Sequence, residues 1–174
     1  MKKYLMNEME AWLPTLRAGE EIFLSGTVYT ARDAAHKRLI ALLDEGKPLP
    51  FPLANTAIYY AGPTPAKNGL PIGSCGPTTS SRMDPYIPRL FEEGLRITIG
   101  KGDRDESVYD SIKRFGGAYL LALGGAGALV AQSVKKLEVI AFPELGCESV
   151  KRLEIEDLPL YVGIDAMGAS IFKR

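Results

Sequence analysis

The sequence is short of the residues that build metal centres and proton relays. Its 174 residues hold one histidine and two cysteines. With a single histidine, His36, most metal-site and Ser-His-Asp readings fall away at once. Cys75 and Cys147 lie far apart and form no CxxC pair. That argues against a disulfide scaffold and makes a cytoplasmic location the expectation. Charge of one sign is also missing: 21 Lys and Arg balance 21 Asp and Glu. Nothing in that balance supports a nucleic-acid surface, and no nucleic-acid partner is expected. No apolar run approaches the roughly 20 residues that span a bilayer, so no membrane association is expected. The first ten residues carry a basic pair, Lys2-Lys3, but no sustained apolar stretch, so no secretory signal is expected. Repeats, low-complexity tracts and linkers are absent too.

What is present is ordinary for a globular protein: 46% apolar and 24% charged residues. The length fits one domain, 1–174, with a real core. Residues 22–24 and 27–29 read as strand around Gly26. Thr30-Ala31-Arg32-Asp33 reads as a capping box, with Thr30 as N-cap and Asp33 at the third helical position. The following helix carries Ala35, Leu39, Leu42 and Leu43 on one face and stops near Gly46. Residues 57–60 form a strand that enters a long loop, 62–82. Asp84-Pro85 opens the next helix, with proline where its missing N–H costs nothing, and Gly94 ends it. A strand at 96–99 runs into Gly100-Lys101-Gly102, a helix covers 106–115, and 118–123 is a buried strand. Gly124-Gly125-Ala126-Gly127 turns into a small helix, and 137–142 is strand. Three short strands, 152–155, 160–164 and 170–173, complete the chain, the last two joined by a turn at Asp165 to Gly168. The class is α/β, with a mixed sheet and flanking helices, because the terminal strands look antiparallel.

Several positions carry chemistry. The loop from Ser74 to Asp84 joins adjacent hydroxyls, Thr78 and Thr79, to Arg82 in a Gly/Pro/Ser-rich run. Such a run makes either a surface turn or an anion-binding loop. Arg32 sits at the second position of its helix, where a cation opposes the helix dipole. It is either solvated or aimed at an anion. Lys101 directly follows a strand between two glycines, where ligands of open α/β sheets bind, although a tight turn reads equally well. A P-loop is ruled out, because Lys101 is followed by Gly102 rather than Ser or Thr. The glycine run at 124–127 lacks the full dinucleotide pattern and fits helix packing better. His36 borders the apolar stripe and suits a structural role more than a catalytic one. Cys75 has no neighbour that would lower its pKa, and Cys147 reads as a packing residue.

Four stretches together resemble a known family. They are Thr30 to Arg38 (TARDAAHKR), Tyr59 to Pro63 (YYAGP), Gly76 to Asp84 (GPTTSSRMD) and Ile99 to Gly102 (IGKG). The ending is similar as well, from Phe142-Pro143-Glu144-Leu145-Gly146 through Leu158 to Asp165. The chain resembles the β subunit of the iron–sulfur hydro-lyases of the class I fumarase and L-tartrate dehydratase type, along nearly its whole length. The resemblance implies a swivelling β/β/α domain that closes over a cluster-bearing domain. It implies Thr78 as catalytic base and Arg32, Arg82 and Lys101 as dicarboxylate-binding residues. It also implies a [4Fe–4S] cluster, whose one free iron acts as a Lewis acid and whose other irons need three cysteine thiolates. Two cysteines cannot supply those ligands, so no metal is expected in this chain. A partner α subunit should carry the cluster, in an α2β2 assembly, and the chain alone should be inactive. The expected reaction is reversible dehydration of a 2-hydroxy dicarboxylate, (S)-malate to fumarate. The alternatives are tartrate to oxaloacetate, or a non-catalytic dicarboxylate-binding module without its α partner.

Overall fold

The computed structural model describes residues 1–67, 69–122 and 127–173. Its frame is built from short apolar segments. Strand β1 (Lys2–Leu5) runs parallel to the first half of β2 (Glu21–Thr30), and β3 (Ala57–Tyr59) runs parallel to the second half. Parallel pairing continues through β4 (Ile97–Gly100) to β5 (Ala118–Leu121). The last strand, β7 (Val150–Ile164), is antiparallel to both β5 and β2. The sheet is therefore mixed, as expected, and it also closes on itself as a barrel: β2-β3-β4-β5-β7 and back to β2. Strand β6 (Val134–Ala141) extends it along β7.

Alternation along the strands sorts side chains to two faces. Ala57, Tyr59, Ile97, Ile99, Ala118 and Leu120 join one core cluster with Ile22, Leu24, Leu158 and Leu160, which places that cluster inside the barrel. Met6, Met9, Trp12 and Leu16 belong to the same cluster. The N-terminal segment, with its short helix α1 (Met9–Trp12), thus plugs the barrel. Ile58, Tyr60 and Tyr119 point the other way, into a second cluster. They are joined there by residues of α2 (Asp33–Asp44), α3 (Ile87–Glu92) and α4 (Glu106–Phe115), and by others from β2, β7 and the connecting loops. A fifth helix, α5 (Gly127–Gln132), leads into β6.

The structure corrects three sequence expectations. The terminal strands at 152–155 and 160–164 are one strand, and 170–173 forms only an isolated bridge between Ser170 and Ile164. Asp157 and Pro159 look like turn residues, but β2 pairs along almost the whole length of β7 and carries the chain through. Asp157 takes a positive φ of 49° at the register shift, where its N–H donates to Ser25 Oγ. Asp84-Pro85 does not open a helix: a 3₁₀ turn covers Ser80–Tyr86, and α3 begins only at Ile87. The capping box at Thr30 is also absent. Thr30 is the last residue of β2, its hydroxyl accepts the Lys151 N–H, and Arg32 itself is the N-cap of α2. Strand β1 and the N-terminal plug carry too short a pattern to be legible in sequence. Gly124, Gly125 and Ala126 of the glycine run lie outside the described residues.

Candidate active site

The parallel run β2-β3-β4 brings three strand ends to one place. Thr30 pairs with Tyr59, and Tyr59 with Ile99. Arg32 and Lys101 each lie two residues beyond these aligned ends. Strand spacing puts their backbones roughly 10 Å apart, with the end of β3 between them. The loop from Ser74 to Asp84 is laid over that central end. Tyr59 donates its phenol to the carbonyl of Cys75, a member of the same barrel cluster, at 2.6 Å. The Thr78 N–H donates to the Tyr60 carbonyl at 2.7 Å. Thr79 bridges to Lys101, the Ser80 N–H donates to the Lys101 carbonyl, and Ser80 Oγ accepts the Lys101 N–H, the last two at 3.0 Å. Thr78 and Lys101 are therefore fixed side by side by backbone bonds. Gly100 makes this approach possible, because a Cβ there would overlap Ser80 Oγ.

Arg32 and Arg82 approach from the other side. Because Arg32 is the N-cap, its side chain leaves the helix and lies over Gly62. A Cβ on Gly62 would stand 3.1 Å from Arg32 Cδ and 3.2 Å from Nη1. Arg82, on the 3₁₀ turn, donates to the carboxylate of Asp33, the first residue of α2. Glu148 Oε1 accepts the Ala34 N–H at 3.4 Å, which sets an acid at the positive end of the helix. Among the described residues, Arg32 Nε, Asp33 Oδ1 and His36 Nε2 are buried without hydrogen-bond partners. Buried polar atoms are ordinarily satisfied, so two of these atoms, beside the arginines, mark a place prepared for another group. The structure sets Thr78 beside Lys101, and Arg82 beside the start of α2 next to Arg32, all near the aligned ends of β2, β3 and β4.

His36 stands behind this row. It is fully buried, its Nδ1 lies 2.8 Å from the Arg32 carbonyl, and it packs between the rings of Tyr60 and Tyr86. Burial lowers its pKa to about 4. The imidazole is neutral near pH 7, so Nδ1 carries the proton and donates to Arg32. Its role is to fix the backbone of the N-cap.

Sequence reasoning missed the floor of the site. Arg104 lies in the segment between β4 and α4, which reads as an exposed turn, yet its side chain is fully buried beside Asp84. Nε donates to Asp84 Oδ1 at 2.7 Å, Nη1 to Thr98 Oγ1 at 3.0 Å and Nη2 to the Tyr60 hydroxyl at 3.0 Å. Asp84 Oδ2 accepts the N–H of Asp105, the N-cap of α4. Burial disfavours the charge on Arg104, but Tyr60, Asp84 and Tyr119 more than offset this. Both oxygens of Asp84 accept N–H donors, so the ionised carboxylate is the form that fits. A charge pair with both carboxylate oxygens and all three guanidinium nitrogens hydrogen-bonded is the arrangement in which burial is tolerated. Nothing in the run Asp103-Arg104-Asp105 signals this.

Two clefts lie away from the site, one of about 540 Å³ lined by residues of β1, β2 and the 52–56 loop, and another of about 540 Å³ by residues around 47–53. Among the described residues, no three His, Cys, Asp or Glu side chains gather as a metal-binding group. Cys75 is buried, with its thiol pushed up to about 12 by desolvation, and Cys147 is exposed. A thiol so reluctant to ionise is a packing residue rather than a metal ligand. These residues do not fit an iron–sulfur cluster. Also among the described residues, no helix is long and apolar enough to cross a membrane.

Residues 2–174 match the family model described as Fumarase C-terminus. The chain belongs to this family. Within it, the chain is 41% identical over 171 residues to the anaerobic class I fumarate hydratase of Escherichia coli K12. That alignment covers 97% of this chain and 31% of the relative. It is 42% identical over 159 residues to fumarate hydratase 2 of Leishmania major, covering 90% of this chain and 28% of the relative. It is 34% identical over 180 residues to the L(+)-tartrate dehydratase subunit beta of Escherichia coli K12, covering 100% of this chain and 88% of the relative. This member of the Fumarase C-terminus family thus spans about a third of the fumarate hydratases it matches, and most of the tartrate dehydratase subunit.

Proposed function

We propose that this chain is the substrate-clamping half of a hydro-lyase that dehydrates a 2-hydroxy dicarboxylate, (S)-malate to fumarate being the first choice. The observation that carries this reading is the convergence of Arg32, Arg82 and Lys101 around Thr78 at the ends of β2, β3 and β4, with Arg32 Nε buried and unpartnered beside them. Three cations against the two nearby carboxylates, Asp33 and Glu148, leave positive charge that suits an anionic diacid. The arginine forks hold carboxylates by paired N–H donors, and Lys101 adds a point charge. The same groups stabilise the negative charge that grows on a carboxylate as the neighbouring C–H bond breaks.

Dehydration takes a proton from one carbon and hydroxide from the next, leaving a double bond and water. Thr78 Oγ1 is the group proposed to exchange the proton. An alcohol is a weak base, so it needs a neighbour that favours its ionised form. Lys101, whose backbone is tied to Thr79-Ser80, and Arg82 of the same loop are the cations that could serve. Departure of hydroxide belongs to the other half of the enzyme. In this reading a [4Fe–4S] cluster on an α subunit would supply Lewis-acid chemistry there, and this chain's residues take no part in holding it. A relative that is itself a subunit beta supports such a partner. In this reading the domain swivels to close over the cluster-bearing one. Two unpaired cysteines suit a cytoplasmic setting.

The test is anaerobic co-expression with a cluster-bearing α subunit and assay on malate, fumarate and both tartrate enantiomers. Thr78→Ala should lower kcat by about 10²-fold or more while changing KM little. Near-normal turnover by that variant removes Thr78 as the base, and failure of the wild-type pair on every diacid sinks the hydro-lyase reading.

A further inference from the structure

We infer that Arg104 is a positioning residue that braces every loop-borne group of the site from below; its catalytic consequence rests on the hydro-lyase reading. The guanidinium lies between the rings of Tyr60 and Tyr119, with centroids 5.2 and 4.6 Å away. Three routes lead from it to the site. Through Nε it holds Asp84, two residues after Arg82 on the same 3₁₀ turn. Through Nη2 it holds the hydroxyl of Tyr60, whose carbonyl takes the Thr78 N–H. Against its face lies Tyr119, whose phenol donates to Gly102 O at 2.7 Å and lies 2.8 Å from Ser80 Oγ. That same Ser80 Oγ takes the Lys101 N–H. Thr78, Arg82 and Lys101 are each one or two links from one side chain.

The chemistry of arginine explains the choice. Three acceptors, Asp84 Oδ1, Thr98 Oγ1 and the Tyr60 hydroxyl, stand around one plane at 2.7–3.0 Å, the pattern a rigid fork serves and an ammonium does not. Sandwiching by two phenol rings suits the flat, weakly hydrated guanidinium. Ion pairs in a core add little net stability over an apolar replacement of similar shape. What this pair adds is geometry: the 3₁₀ turn, β3, β4 and the start of α4 are fixed to a common point. Arg32 is held from the α2 side by His36, and meets the brace only through the packing of His36 on Tyr60.

The experiment compares the full-length wild-type chain with Arg104→Lys by hydrogen exchange and mass spectrometry, alongside kcat and KM of the assembled enzyme. Lysine keeps the charge and loses the fork. Exchange should quicken across 78–86 and 100–104 while 2–5 and 21–30 stay protected, and kcat/KM should fall about 10²-fold, the scale of a small misplacement of reacting groups. Tyr119→Phe, which keeps the ring and removes the hydroxyl, should loosen 100–102 and leave 84–86 protected. Should Arg104→Lys fail to fold, this second variant decides the question alone. Unchanged exchange in 78–86, or equal loosening everywhere, overturns the brace. Silence of the wild-type enzyme on all diacids sinks the hydro-lyase reading instead, while the exchange result still decides the brace.

Discussion

The guanidinium of Arg82 donates to the carboxylate of Asp33, the residue next to Arg32. One acid is thereby shared between the 3₁₀ turn and the start of α2, and the two site arginines are brought to opposite sides of it. The pair is partly exposed, and such pairs contribute only about 0–1 kcal/mol. A substrate carboxylate can therefore compete for Arg82 at little cost. Asp33 orients the fork without locking it.

Replacing Arg82 by lysine should expose that division of labour. Arg82→Lys keeps a cation and loses the second N–H donor to a carboxylate. Hydrogen bonds to charged groups contribute about 1.5–3 kcal/mol, so kcat/KM should fall roughly 10- to 100-fold. Steady-state kinetics of the assembled enzyme check this, and an unchanged kcat/KM would refute bidentate capture.

His36 makes stability depend on pH. Its pKa is about 4 in the folded chain against 6.5 as its ordinary value. Between those values the unfolded chain binds a proton that the folded chain does not, so stability rises with pH. The contribution is fully present above about 6.5 and is lost as pH falls toward 4, by about 3 kcal/mol. Urea midpoints from pH 4 to 7 should show the slope. His36→Asn, which keeps a donor for the Arg32 carbonyl, should flatten it.

The two thiols should separate by reactivity. Cys147 is exposed, whereas Cys75 is buried and held as a thiol by desolvation. A disulfide reagent at pH 8 should label one cysteine of the native chain at once and the second only on unfolding. Rapid labelling of both would mean that the Ser74–Asp84 loop does not sit on β3 as described.

Gly100→Ala should injure the site through packing alone. The added Cβ would overlap Ser80 Oγ and stand 2.8 Å from Tyr60 Cδ2. Overpacking of this kind costs about 1–3 kcal/mol, and each kcal/mol lowers Tm by about 2–4 °C at this chain length. Because Ser80 holds the Lys101 N–H, kcat/KM should drop together with Tm. A variant with wild-type Tm and kinetics would show that Lys101 is not held by Ser80.

Much of the fold was legible from local pattern. Helix α4 begins at Glu106 and ends at Phe115 as its periodicity predicts, because Asp105 caps its start and Gly116 takes the left-handed conformation at its end. Both signals are local. Where local signals misled, a distant partner had won. Asp84-Pro85 has the form of a helix start, but Asp84 turns inward to Arg104 and Asp105. Pro159 has the form of a strand break, but β2 pairs past it. Arg32 looked like the second residue of a helix because Thr30 resembles a cap, whereas Thr30 is held in β2 and bonded by Lys151.

The sequence by itself determined the mixed α/β class, the family and the identities of Thr78, Arg32, Arg82 and Lys101. The class follows from periodicity, and the family and these four candidate residues from motifs that resemble it, all of which need only neighbours in the chain. The tertiary structure alone decided that the sheet closes, because closure depends on β7 finding β2 across more than 120 residues. It alone revealed that the buried pair Arg104 and Asp84 underlies the loop. Buried charge is permitted only where every partner is supplied at the right distance. Those partners, Thr98, Tyr60 and Asp105, meet only in the folded chain.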